Sequence, residues 1–117
     1  MLTISSAPFS AGDVVRVAFV FTAQNRSKIR PAVVLSSDAF HSSRADLIMM
    51  PLSTKAGGYF GDRPLIDWRS AGLPGPSHIK GVIQTIPQSA ILGRFGRLAI
   101  PDIDQVKATI ADIIILP

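Results

Sequence analysis

The chain has 117 residues, 12 Lys and Arg against 8 acids for a net charge of +4, no cysteine and 47% hydrophobic side chains. That is one domain's length with enough apolar residues for a core, which excludes wholesale disorder. The missing cysteines exclude disulfides, thiolate nucleophiles and cysteine-based zinc sites, and apolar runs such as Ile113-Ile114-Ile115-Leu116 fall far short of the roughly 20 residues that cross a bilayer. Met1-Leu2-Thr3-Ile4 has neither a basic flank nor an apolar run behind it, so no secretory signal is read and a cytoplasmic location is expected.

Gly12-Asp13 is a turn signal, and residues 14–21, rich in β-branched and aromatic side chains, read as a first strand. A polar stretch, Thr22 to Ile29, leads to Arg30-Pro31 and the apolar run Ala32-Val33-Val34-Leu35. Pro31 suits the opening of that second strand rather than its middle. A third strand fits Asp46 to Leu52 and a fourth Ile79 to Thr85. Between them, residues 55–77 hold five Gly and three Pro, a long connection of the kind that often carries function, with a short strand near Arg63–Ile66. Pro87 to Leu92 reads as one helical turn and Arg94 to Ala99 as a last strand. The clearest helix is terminal. Pro101 suits a first turn, Asp102 and Asp104 suit the positive end of the dipole, and Ile103, Val106, Ile110, Ile113 and Ile114 recur at helical spacing. Short strands plus one helix make a small β-barrel or α+β domain, residues 1–117.

All eight acids are Asp, so carboxylate chemistry has few candidates. Arg16, Arg26, Lys28 and Arg30 occur with no acid between Asp13 and Asp38, and Arg69, Lys80, Arg94 and Arg97 with none between Asp67 and Asp102. Both stretches read as tracks for a polyanion.

Gly12-Asp13-Val14-Val15-Arg16-Val17, Arg30-Pro31-Ala32-Val33-Val34-Leu35-Ser36 and Pro51-Leu52-Ser53-Thr54-Lys55, in that order, resemble the MazF/PemK family of bacterial toxins. Asp67-Trp68-Arg69-Ser70-Ala71-Gly72-Leu73, then Pro76-Ser77, and Gly96-Arg97-Leu98 before the helix resemble its PemK-like branch. The resemblance implies an SH3-like barrel that dimerises. It also implies a sequence-specific, metal-independent endoribonuclease without cofactor, acting on single-stranded RNA and silenced by a cognate antitoxin. The family's functional Arg, before the Pro of the second strand, matches Arg30; its Thr or Ser at the end of the third strand matches Ser53, with Thr54 alongside. Some members carry an Arg and an Asp on the strand that begins Gly-Val-Val. Here that stretch is Gly81-Val82-Ile83-Gln84-Thr85-Ile86, with Gln84 and Ile86 at those positions.

Metal-free RNA cleavage needs a base for the ribose 2′-OH, positive charge on the phosphorane and an acid for the leaving oxygen. Arg30 supplies the charge, since guanidinium is a forked donor matched to phosphate; its bland alternative is a solvated flanking Arg. Ser53 and Thr54 suit orientation of phosphate or 2′-OH, but a lone hydroxyl is a weak base, and both also suit strand-end capping. Arg26, Lys28 and Lys55 suit phosphate contacts or a solvated loop. Tyr59 and Phe60 suit base stacking, while Trp68, the lone Trp, suits the core. Ser77, His78, Lys80 and Gln84 complete the candidate RNA-binding set. His78 and His41 are acid–base candidates, or, as the commoner alternative, solvated surface residues, His41 lying in a Ser-rich loop. No metal site is expected. Three functions follow: a toxin-type ribonuclease, an RNA- or antitoxin-binding module that has lost cutting, and, discounted because the chain ends Ile115-Leu116-Pro117 rather than Trp-Gly-Ile, a topoisomerase poison of the same fold.

Overall fold

Alternation along the central strands assigns each residue to one of two apolar layers. The computed structural model describes residues 8–21, 26–55 and 58–117. On β1 (Asp13–Phe21) Val14 enters the first layer and Val15, Val17 and Phe19 the second. β2 (Arg26–Val34) divides Val33 from Ala32 and Val34, and β3 (Asp46–Ser53) divides Met50 and Leu52 from Leu47 and Met49, in the same way. Both faces are covered, which is why these stretches read as nearly continuous apolar runs.

β4 (Arg63–Pro64), β5 (His78–Ile79), β6 (Gln84–Pro87) and β7 (Ile91–Arg97) complete an antiparallel sheet of order β4-β5-β3-β2-β1-β7. β3 pairs with β6 along Asp46–Met49 and with β5 at Leu52 and Ser53. The arrangement is barrel-like, but the sheet does not close: β4 and β7 stand at its two ends.

The terminal helix, α2 (Ile100–Ile113), lays Ile103, Val106, Ile110 and Ile113 on the first layer. Ile114 falls beyond its end and is exposed. Asp102 does more than face the helix dipole. Fully buried, its carboxylate accepts the backbone N–H groups of Ile66 at 2.6 Å and Asp67 at 2.8 Å. Thr109 Oγ1 donates to the Gly61 carbonyl at 2.8 Å, and Arg63 pairs with Asp112 at 2.7 Å. The long connection is thereby pinned along the helix. Near its end, Gly72 (φ +78°) presses on the Phe95 carbonyl, and a Cβ on Gly96 would sit 2.8 Å from the Ala71 oxygen. Glycine at both positions lets two backbones touch.

Several sequence expectations change, and the last strand runs Ile91–Arg97 rather than Arg94 to Ala99. β2 begins at Arg26, inside the expected polar stretch, whose Thr22–Asn25 lies outside the described residues; Pro31 therefore stands within the strand, one residue beyond the last β2–β3 pair. The expected fourth strand divides into β5 and β6 around Gly81, whose backbone packs on Phe60 and Gly61. His41 is not a solvated loop residue: it sits buried in α1 (Asp38–Ser43), a short helix capped by Ser37. Both its ring nitrogens are engaged, Nδ1 with the Phe9 carbonyl at 3.0 Å and Nε2 with Ser36 Oγ at 2.5 Å. Trp68 packs against the first layer as expected, with the Arg69 guanidinium over its ring at 4.6 Å. Among the described residues no helix is long and apolar enough to cross a membrane. Met1–Ile4 lies outside them.

Candidate functional site

The period of two along β2 puts Lys28 and Arg30 on the same face as Ala32 and Val34, that of the second layer. Arg30 pairs across the sheet with Val17 and is half-buried there, while Lys28 is exposed. On β3 the same face carries Leu47, Met49 and, at its end, Ser53. Ala32 pairs with Pro51, Val33 with Met50 and Val34 with Met49; Arg30 and Ser53 each lie two residues beyond the last of these pairs. The β2–β3 ladder ends at Ala32 and Pro51, while Arg30 stays paired with β1 alone.

On its other side Ser53 is paired with His78 of β5, and side chains so paired have Cβ atoms about 5 Å apart. Ser53 is buried, and its Oγ accepts the Lys55 N–H at 3.2 Å, leaving the hydroxyl proton available to donate. Thr54 and Lys55 follow, exposed. Three strands thus bring Lys28, Arg30, Ser53 and His78 to one face. The Ser53–His78 pairing was invisible in the sequence, because the two-residue β5 carries no pattern of its own.

The two basic stretches fare differently. Among the described residues Lys28 and Arg30 have no acid within ion-pair distance, although Arg16 of the same stretch lies on the other face, along Gly93, and the side chain of Arg26 is outside the described set. In the second stretch Arg97 binds Asp13 at 2.7 Å, Arg94 lies 3.9 Å from the same carboxylate, and Arg69 covers Trp68. Lys80 binds Asp62 at 2.9 Å and lies over the Tyr59 ring. Burial pushes the Asp62 carboxyl up, but hydrogen bonds from Gly81 N–H, the Lys80 ammonium and Tyr59 N–H outweigh it and hold its pKa below the ordinary value.

The remaining candidates are dispersed. Ser77 is buried and donates to the Gly75 carbonyl at 3.0 Å. Tyr59 and Phe60 are exposed, 79% and 76%, in the connection beyond Gly58, open to a stacking partner; Gly57 lies outside the described residues. Gln84 and Ile86, cross-strand partners of Met49 and Leu47, share the face of Arg30. Ile86 is core, whereas Gln84 is exposed and, with Phe19, Ile86, Pro87 and Ala90, lines a pocket of about 380 Å³. An amide over an apolar floor suits an unpaired base. Among the described residues no three His or Asp side chains are grouped to hold a metal ion.

This geometry has relatives. A family model for the PemK-like, MazF-like toxin of type II toxin–antitoxin systems matches residues 10–114. No curated protein matches the sequence. Among solved structures, MazF in a MazE–MazF complex from Deinococcus radiodurans superposes with TM-score 0.71 at 19% identity, covering 90% of this chain and 94% of that one. An endoribonuclease in complex with its cognate antitoxin, from a mycobacterial species, gives 0.71 at 16%, covering 90% and 92%. The Mycobacterium tuberculosis toxin MazF-mt6 gives 0.64 at 19%, covering 83% and 92%. At such identities the likeness speaks for the fold. With the family model matched over nearly its whole length, the chain belongs to the PemK-like, MazF-like toxins of type II toxin–antitoxin systems.

Proposed function

We propose that this chain is a toxin that cuts single-stranded RNA, chiefly mRNA, within a short sequence and without metal, as a cytoplasmic homodimer held silent by a cognate antitoxin. In the reaction the ribose 2′-oxygen attacks the adjacent phosphorus, the bond to the 5′-oxygen breaks, and a 2′,3′-cyclic phosphate and a 5′-hydroxyl result. Arg30 stabilises the charge of the phosphorane. Ser53 and Thr54 orient the phosphate and the 2′-OH. Lys28, Arg26 and Lys55 track the backbone, and Gln84, Tyr59 and Phe60 take bases. The observation that carries this reading is Arg30, without an acid among the described residues, on the same sheet face as Ser53. The antitoxin-bound relatives, one itself an endoribonuclease, support it.

The test is cleavage of a long RNA by the purified protein in excess chelator. Cutting at a repeated short motif, lost in Arg30→Ala with the fold intact, is the expected result; undiminished cutting by that variant overturns the assignment. A second reading draws on Ile86, which puts a core side chain where some family members carry an acid: a module that binds RNA or antitoxin without cutting. Tight RNA binding with no new 5′-hydroxyl ends in a pooled sequencing assay would select it.

A further inference from the structure

The chain has two histidines, and their surroundings are opposite. His41 is buried with both nitrogens engaged, by Ser36 and the Phe9 carbonyl, so its ring is fixed as part of the fold. His78 is half-buried; no described residue hydrogen-bonds either ring nitrogen, and Nδ1 is shut away from solvent without a partner. Native structures seldom leave such an atom without a partner, and among the described residues Arg63 Nε alone shares that state. Its place in the sheet suggests a use. His78 is the cross-strand partner of Ser53, and Arg30 lies on the same face, two residues beyond the last β2–β3 pair.

We infer that His78 is the proton-transfer residue of this active site, the group missing where Gln84 and Ile86 replace an acid–base pair. This rests on the ribonuclease reading and deepens it. The imidazole takes the proton of the 2′-OH as the O2′–P bond forms, and as imidazolium it returns that proton to the 5′-oxygen as the P–O5′ bond breaks, so no co-reactant is needed. Ser53 orients the phosphate between His78 and Arg30. Imidazole suits both halves because its charge changes near neutral pH.

The charged groups on the elements around His78 are Arg26, Lys28 and Arg30 on β2, Asp46 at the far end of β3, seven residues from Ser53, Lys55 after β3, Arg63 on β4 and Lys80 beside β5. The carboxylates near β4 and β5, Asp62 and Asp112, are already paired with Lys80 and Arg63. Both acids beside β4 and β5 are thus engaged, and Asp46 stands at the opposite end of β3 from Ser53.

The experiment measures the rate of cleavage of a short RNA bearing the cut motif, in chelator, from about pH 5 to about pH 9, for the wild type, His78→Ala and His78→Gln. The expected result is a rate loss of about 10²- to 10⁴-fold in both variants at neutral pH. The acid limb of the wild-type profile should vanish with it, and added imidazole should partly restore His78→Ala, while RNA affinity stays within a few-fold. Should His78→Ala fail to fold, the near-isosteric His78→Gln carries the comparison. Variants that cut at the wild-type rate with the wild-type limb overturn this inference and leave the ribonuclease reading standing. A wild type that cuts nothing overturns both.

Discussion

Two stretches of this chain carry four positive charges each and no acid, Arg16 to Arg30 and Arg69 to Arg97, and folding treats them in opposite ways. In the second, β1–β7 pairing sets Asp13 directly against Arg97, and the long connection returns Asp62 to Lys80. Carboxylates outside the stretch in sequence lie inside it in space. In the first, Lys28 and Arg30 point from β2 onto a face where, among the described residues, no acid pairs with them. A run of like charge along a chain is therefore a poor gauge of field; which charges keep no partner after pairing is the better one.

The largest expected effect breaks the comparison at its centre. Arg30→Ala should lower cleavage at least about 10²- to 10³-fold, the scale of removing one preformed donor to a developing oxyanion, while Arg94→Ala should leave the rate within about twofold. Comparable losses would mean that the two stretches do the same work. The reverse holds for stability. Asp13, 3% exposed, accepts the Ser10 N–H at 2.9 Å as well as Arg97, so Asp13→Ala should cost about 2 kcal/mol in urea unfolding, the scale of a lost charged acceptor plus a stranded donor. Arg97 is 54% exposed, which discounts its share of the ion pair through screening; Arg97→Ala should cost about 1 kcal/mol or less, and Lys28→Ala nothing measurable.

The sequence showed the sheet better than the site. β1 and β3 were legible as apolar runs buried on both faces and α2 by the helical spacing of its isoleucines, and the ordered Arg30-Pro31 and Pro51-Leu52-Ser53 fragments pointed to the right family. β2 was misplaced because Arg26, Ser27, Lys28 and Arg30 make its first half look polar when read alone, and the one apolar residue among them, Ile29, stands 59% exposed on the face opposite Lys28 and Arg30. The role of Asp102 was read as a dipole effect because its two N–H partners lie 36 and 35 residues away. His78, beside Ser77 and Lys80, read as the better candidate than His41 in its Ser-rich run, but nothing in the sequence marked His41 as a core residue. What separates a structural histidine from a reactive one is the set of atoms around the ring, and those come from β5, β3, α1 and the Phe9 backbone.

Acid sharpens the comparison by testing the pairing of the second stretch. Asp62 titrates below the ordinary 3.8 in the folded chain, with burial opposing and Gly81, Lys80 and Tyr59 prevailing. A folded-state value below the unfolded one gives stability that is complete above the unfolded value and is lost as pH falls through the folded one. Unfolding free energy should therefore decline on acidification below about pH 4, and Asp62→Asn should remove part of that decline. Asp67, lowered by the side-chain and backbone hydrogen bonds of Ser70, contributes in the same direction, so the variant's curve flattens without becoming level. An unchanged curve for Asp62→Asn would show that Lys80 is not held as the structure has it.

The smallest effect discriminates best, because it depends on charge and hardly on shape. Each phosphate neutralised by a protein cation on a single strand contributes about 0.7 to the slope of log affinity against log salt. Lys28 and Arg94 are both exposed cations, both remote from the Ser53–His78 pair in sequence, and alike in formal charge. If RNA lies along the face of β2, Lys28→Ala should weaken binding a few-fold at low salt and reduce the slope by about 0.7. Arg94→Ala should reduce it by less, since its charge is already partly matched by Asp13 at 3.9 Å. Equal slopes for the two variants would mean that the nucleic acid runs over the opposite edge of the sheet, along β7, and that Arg30 and Ser53 lie off its path.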